Sequence, residues 1–304
     1  MQRISNITIL FCEGPHDTAF LYRVLKTKCY EVYNDSLLKL PKIVGEFIES
    51  KNKHSEYNKL KIDSLKNDFA PYRILLKEDR LILMYSLGGD RDGKDDKDNK
   101  RLIILNHYFN DILSKISDSD NYGKAFSSED IDGNIFKYNF LFFYDADDDK
   151  NQKISIANEY LKKLNLDFCF EHNKIIKYDQ YSFGLYIFSN NEDKGSLEDI
   201  LFGMMKKDND KIFEEAEKYY EQFFDEARAK RLVTIFKDGN IVDIRKGSIE
   251  KDQKKSLICI AGQLQKKGKS NVVVIEDTDY LTLDKINSDA KLQEIAFFIE
   301  NSKI

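Results

Sequence analysis

A chain of 304 residues, 41 % hydrophobic and 12 % aromatic, carries enough apolar material to bury a large core, which excludes general disorder. A net charge of −5 excludes a protein that coats nucleic acid through bulk lysine excess, but not a nuclease, whose acids gather at a metal centre ringed by basic residues. Charges interrupt every hydrophobic stretch, so neither a membrane span nor a secretory leader is expected, and Cys12, Cys29, Cys169 and Cys259, scattered without a C-x-x-C, read as reduced thiols of a cytoplasmic protein.

In chain order, the first predicted element is ITILFCE (7–13), a continuous apolar run expected as a strand buried on both faces. The helix-period segment DTAFLYRVLK follows it. Residues 28–79 are long for a crossover and are expected as an inserted patch, helical after Pro41. RLILMYSLGG (80–89), YNFLFFYDAD (138–147) and YSFGLYIFS (181–189) repeat the buried-strand pattern, and ISIANEYLKKL (154–164) the helical one. Between them, 95–135 is a second insertion, and GDRDGKDDKDNK (89–100) and SDSDNYGKAFSSEDIDGN (117–134) read as exposed loops. IFEEAEKYYEQFFDEARAKRL (212–232) predicts an amphipathic helix; KSLICIAGQLQKKG, VVVIED and the helix-like KLQEIAFFIE fill out 254–304.

Alternating strand and helix predict an α/β fold: a mainly parallel, Rossmann-like sheet flanked by helices, with helical and loop insertions and a C-terminal helical extension. The α/β domain is assigned to 1–205 and the extension to 206–304, packing on it, with a part in completing its site left open. Ligands of such sheets bind beyond the carboxyl ends of the strands. Three of the four apolar runs end there in acids or paired glycines: Glu13, Gly88-Gly89-Asp90, and Asp145 with Asp147.

At strand period Asp145 and Asp147 are expected to point the same way, so that both can approach one Mg²⁺, an ion that takes oxygen ligands and few carboxylates. A calcium loop is excluded, because Lys150 and Ile156 stand where the EF-hand pattern needs glycine and glutamate. An isolated D-x-D is also compatible with a solvated acidic turn. Glu13 ends another buried run, and Gly14 is expected to let the backbone turn closely. Asp17, one turn on, is either a helix N-terminal residue favoured by the macrodipole, a metal ligand, or both. His16 is read as a local hydrogen-bonding residue of the turn. In GSLEDIL (195–201) Ser196 and Asp199 spell a capping box, leaving Glu198 available to aim back at the sheet edge.

ILFCEGPHDTAFL, MYSLGGDRDGK and LFFYDADDD, in that order, resemble the opening strand, the middle strand and the D-x-D strand of the TOPRIM domain. The form E-G-x-x-D-x-x-F-L, followed later by glycine-hydrophobic-glutamate, looks most like the OLD-nuclease branch and its small stand-alone relatives, several of which act in bacterial anti-phage defence. The resemblance spans roughly 5–205. It implies Mg²⁺- or Mn²⁺-dependent phosphodiester hydrolysis in DNA or RNA, with Glu13, Asp17, Asp145 and Asp147 as metal ligands and Glu198 helping to complete a second site. Two ions ~3.5–4 Å apart are the expected arrangement. The family's late lysine, near the scissile phosphate, would correspond to Lys254 or Lys255: Lys255 is assigned a catalytic role beside Glu13, and Lys254, Gly88 and Gly89 contacts to phosphate or nucleic acid. The pattern departs from full OLD proteins, since no Walker A sequence is present and the serine before the D-x-D is replaced by Phe143 or Tyr144. An ATPase partner would therefore be a separate chain. Two alternatives stand beside the nuclease: a non-catalytic TOPRIM-shaped module binding nucleic acid or a partner ATPase, and a primase-like nucleotidyl transferase using the same acids.

The aromatic stripes of 212–232 and 289–300 (Phe213, Tyr219, Tyr220, Phe223, Phe297, Phe298) are expected mainly in the core, with a partner surface or homo-oligomer contact as the other reading. Lys206-Lys207, Arg228–Arg231 and Lys266–Lys269 are either phosphate contacts or solvated faces.

Overall fold

The computed structural model describes residues 4–36, 70–88, 136–163, 168–178, 181–190, 192–225 and 253–303, with shorter pieces at 39–41, 44–45, 48, 104–105, 166, 233–237 and 240–245. The four predicted apolar runs are strands β1 (Asn6–Cys12), β4 (Arg80–Ser86), β5 (Lys137–Asp145) and β7 (Tyr181–Phe188). They lie side by side in the order β4-β1-β5-β7, all parallel. Side chains alternate between two hydrophobic layers, which is why both layers demand apolar residues and the runs are continuous. Leu10, Cys12, Met84, Leu141, Phe143, Tyr186 and Phe188 face one layer; Ile9, Phe11, Leu83, Phe140, Phe142, Phe183 and Leu185 face the other.

Antiparallel strands close both sides of this core. β2 (Glu31–Val32) and β3 (Arg73–Lys77) extend it beyond β4, and β6 (Lys174–Tyr178) beyond β7, giving a seven-stranded mixed sheet. The expectation of a helical insertion over 28–79 is therefore corrected at its ends, where 31–32 and 73–77 are strand. Its stretch 51–69, the loop 89–100, the loop 117–134 and nearly all of 95–135 lie outside the described residues.

Eight α-helices are present among the described residues. Helix α1 (Pro15–Lys26) follows β1, and α2 (Lys150–Lys163) follows β5. Helix α3 (Leu197–Lys206) follows β7 and leads to α4 (Asp210–Phe223). The predicted helix 212–232 thus stops at Phe223, and Val233–Lys237 pairs with Asn240–Arg245 as the hairpin β8–β9 inside a region expected to be helical. Helices α5 (Gln253–Gln265), α6 (Asn271–Asp277), α7 (Leu283–Ser288) and α8 (Ala290–Asn301) complete the chain.

One buried cluster joins the Leu10 face of the sheet, α1 and the helices from α3 to α8. Helix α8 lies close against β7, at a glycine. A Cβ on Gly184 would stand 2.8 Å from the Phe298 ring and 2.6 Å from Ile175, closer than such contacts allow. Of the aromatic stripes, Phe213 and Phe298 are in the core, as expected. Tyr219, Phe223 and Phe297 are instead exposed by 57 %, 61 % and 65 %.

At the amino ends of the parallel strands a polar set is buried. Arg80 is 3 % exposed and donates to Thr8 Oγ1 (2.9 Å), the Ile299 carbonyl (2.7 Å) and Ser302 Oγ (2.6 Å). Ser182 Oγ lies 2.8 Å from both Asn139 Oδ1 and the Ser302 carbonyl. A cation at the last turn of α8 meets the negative end of the helix dipole and satisfies its orphan carbonyls. This network fastens α8 to the sheet at the edge opposite the acids.

Candidate active site at the carboxyl ends of the strands

The four acids that sequence places at strand ends and helix starts stand together because β1, β5 and β7 run parallel and end level. Cys12 is in register with Phe143, and Asp145 with Phe188. Glu13 continues β1 by one residue, its N–H donating to the Phe143 carbonyl at 3.2 Å. Its Oε2 in turn accepts the Asp145 N–H at 3.3 Å, so carboxylate and strand end meet across 132 residues of sequence. Asp145 Oδ1 accepts the N–H of Leu197, the first residue of α3, at 2.8 Å.

Asp17 is buried, 5 % exposed, at the third position of α1, and its Oδ2 accepts the Gly14 N–H at 2.7 Å. Asp17 is thus a helix N-terminal residue that caps the start of α1 by this hydrogen bond. Gly14 itself is extended (φ −136°), a conformation any residue adopts, so the close backbone turn expected of it is not found.

Glu198 is 3 % exposed, and its Oε1 lies 2.9 Å from His16 Nδ1 and 3.4 Å from Lys255 Nζ. His16 is therefore not a local turn residue: its partner is on another helix, 182 positions away. Lys254 pairs instead with Asp199, whose Oδ2 accepts the Ser196 N–H at 2.8 Å in the predicted capping arrangement.

Asp147 departs from the expected geometry. β5 ends at Asp145, and Asp147 takes a left-handed conformation (φ 53°), so strand period does not carry the two carboxylates to one point. Its backbone pairs both ways with Gly195, at 2.8 and 2.7 Å, and its carboxylate holds Lys153 Nζ at 2.6 Å. Lys153, one turn into α2, is the residue near the site that the sequence reading missed; a lysine in the first helical turn after D-x-D was the available signal. Gly88 is exposed at the end of β4 (φ 80°), and Gly89 lies outside the described residues.

The electrostatics follow from this crowding. Burial, helped by the neighbouring Glu198 and Glu13 charges, pushes Asp145 up to about 7 against the pull of the Leu197 N–H and Lys255. Asp17 is raised well above the carboxylate range by burial first, then by Asp145, Glu198 and Glu13. Burial would also raise Glu198, but His16 and Lys255 outweigh it and hold that carboxyl low. Hard oxygen donors of this kind suit Mg²⁺ or Mn²⁺. As the side chains stand, no three His, Cys, Asp or Glu groups among the described residues converge tightly enough to hold an ion. The donor set fits a divalent cation in kind, while its members are occupied by internal partners.

Gly195 is the hinge of the arrangement. Its φ is 95°, and a Cβ there would lie 2.1 Å from Asp199 Oδ2. Gly195→Ala is expected to cost about 1–3 kcal/mol and to loosen both the Asp147 bridge and the start of α3, read as a lower urea midpoint and faster amide exchange at Asp147 and Leu197.

A family model described as "Protein of unknown function (DUF3226)" matches residues 7–293. The chain belongs to this family. Its match takes in the sheet, the acidic lip and the C-terminal helices as far as the first turn of α8, so all the acids discussed above fall within the DUF3226 region. No curated protein matches the chain. Among solved structures, the crystal structure of hypothetical protein PH0156 from Pyrococcus horikoshii OT3 is similar, with 13 % identity, a TM-score of 0.43, and coverage of 98 % of this chain and 95 % of that one. No helix among the described residues of this DUF3226 protein is long and apolar enough to cross a membrane.

Proposed function

We propose that this DUF3226 protein is a divalent-metal-dependent nuclease of TOPRIM/OLD type, hydrolysing phosphodiester bonds in DNA or RNA, and that it works as an effector of anti-phage defence alongside a separate ATPase chain. The observation that carries the reading is the approach of Glu13 Oε2 to the Asp145 N–H, 3.3 Å, at the lip where Asp17 and Glu198 also lie. Mg²⁺ or Mn²⁺, when bound, supplies Lewis-acid polarisation of phosphate and water. The chain's own part is to hold the acids. β1 and β5 present Glu13 and Asp145, α1 presents Asp17, and the amino end of α3 presents Glu198, oriented by His16 and Lys255. Lys255, its side chain 42 % exposed, is within reach of an incoming phosphate, and Lys254 and Gly88 flank the same edge.

Purified protein incubated with Mg²⁺ or Mn²⁺ and plasmid, single-stranded DNA or tRNA tests this. Cleavage is expected in at least one case. Glu13→Ala, which removes a proposed ligand outright, is expected to reduce it by about a hundredfold or more, since disturbing even the groups around a metal's ligands costs about 10–100-fold. Intact substrates throughout, or undiminished cutting by Glu13→Ala, would refute the proposal.

The ion pair between Asp147 and Lys153 favours a second reading, a TOPRIM-shaped module that binds nucleic acid or a partner ATPase without cutting. Calorimetry separates the two: the nuclease takes up Mn²⁺, and the module does not.

A further inference from the structure

The ammonium of Lys153 stands among the acids rather than outside them. Its Nζ is 2.6 Å from Asp147 Oδ2, and its side chain is only 24 % exposed. Burial would lower its proton affinity, but the ion pair with Asp147, helped by the Glu13 and Asp145 charges, raises it. Lysine supplies one positive charge and three N–H donors on a flexible stem, occupying by hydrogen bonding the position that a cation would occupy by ligation. Lys153 stands in the first turn of its helix, beside the exposed Asn151 and Gln152.

We propose that Lys153 is a resident counter-cation of the site: it occupies the carboxylate of Asp147, whose direction the Gly195 pairing sets, and must be displaced before a divalent ion binds there, which makes it the residue that sets metal affinity. This rests on the metal-site reading above. It also accounts for carboxylates gathered at one lip without three of them converging.

The test is Mn²⁺ titration, by calorimetry or electron paramagnetic resonance, of the wild-type protein and of Lys153→Met, which keeps the apolar stem and removes the charge. Mn²⁺ affinity is expected to rise at least about tenfold in the variant. Equal or weaker binding by Lys153→Met, with clear binding by the wild type, overturns this inference and leaves the metal-site reading standing. No binding by either protein at millimolar Mn²⁺ overturns both. Should the variant fail to fold, reductive methylation of the wild-type protein followed by mass spectrometry decides the matter. Labelling of Lys153 is expected to accelerate several-fold with Mn²⁺, while Lys218, exposed on α4, keeps its rate. An unchanged rate at Lys153 counts against the proposal.

Discussion

Asp145→Asn is expected to stabilise the metal-free protein at pH 8 while abolishing its uptake of Mn²⁺. In the folded chain burial and the Glu198 and Glu13 charges lift the Asp145 carboxyl from its ordinary 3.8 to about 7. A native pKa above the unfolded one means that the native state binds more protons between those values. The stabilising contribution is thus complete below about pH 4 and is lost as pH rises through about 7. The difference corresponds to an upper bound of about 4 kcal/mol. Asparagine is neutral at every pH and keeps an oxygen for the Leu197 N–H, so the variant loses this slope. Thermal melts from pH 4 to 8 in EDTA check it: the wild type should fall in stability across the interval and Asp145→Asn should fall less. Added Mn²⁺ should then raise the wild-type melting temperature at pH 8 and leave the variant where it was. A variant less stable than the wild type at pH 8 in EDTA would remove the electrostatic account of this site.

The largest expected loss of stability lies at the opposite edge of the sheet. Arg80→Met removes a buried guanidinium that donates to the Ile299 carbonyl, Ser302 Oγ and Thr8 Oγ1, leaving only the weaker neutral bonds from Ser302 Oγ to Ile299 and from Asn139 Nδ2 to Thr8. Buried groups deprived of a charged donor cost about 3–5 kcal/mol in total. Arg80→Lys, which keeps the charge but not the planar fork, should fall between wild type and Arg80→Met. Urea unfolding with unchanged slope measures both. A loss below about 1 kcal/mol for Arg80→Met would show that the guanidinium is not what fastens α8 to the sheet.

The parallel core was legible in the sequence because burial on both faces favours apolar residues, so β1, β4, β5 and β7 appear as apolar runs interrupted towards their amino ends by the buried Thr8, Arg80, Asn139 and Ser182. The outer strands lacked that signature. RILLK and KIIKY are five residues long and bounded by charge, and what makes them strands is hydrogen bonding to β4 and β7, a tertiary fact. The end of α4 was misplaced because DEARAKRL is rich in helix formers, whereas Phe224 is already extended (φ −67°, ψ 123°).

At the site the same division holds. Glu13 and Asp145 were readable as the last residues of buried strands. The direction of Asp147 was not, since it depends on a left-handed backbone set by pairing with Gly195, 48 positions later. The partners of Glu198 were equally hidden: His16 and Lys255 come from opposite ends of the chain. Sequence locates acids at an edge; only the folded backbone decides which cation, internal or external, each one meets.

The seating of Phe298 over Gly184 and of Ser302 beside Ser182 gives the last helix a role in timing. During synthesis the part of the Leu10 side around Gly184 and Ser182 stays uncovered until residues near 300 have left the ribosome, so apolar strand surface is on display while the preceding helices emerge. Nascent chains halted before Ala290 should accordingly bind chaperones avidly, and those extended past Ser302 should let go.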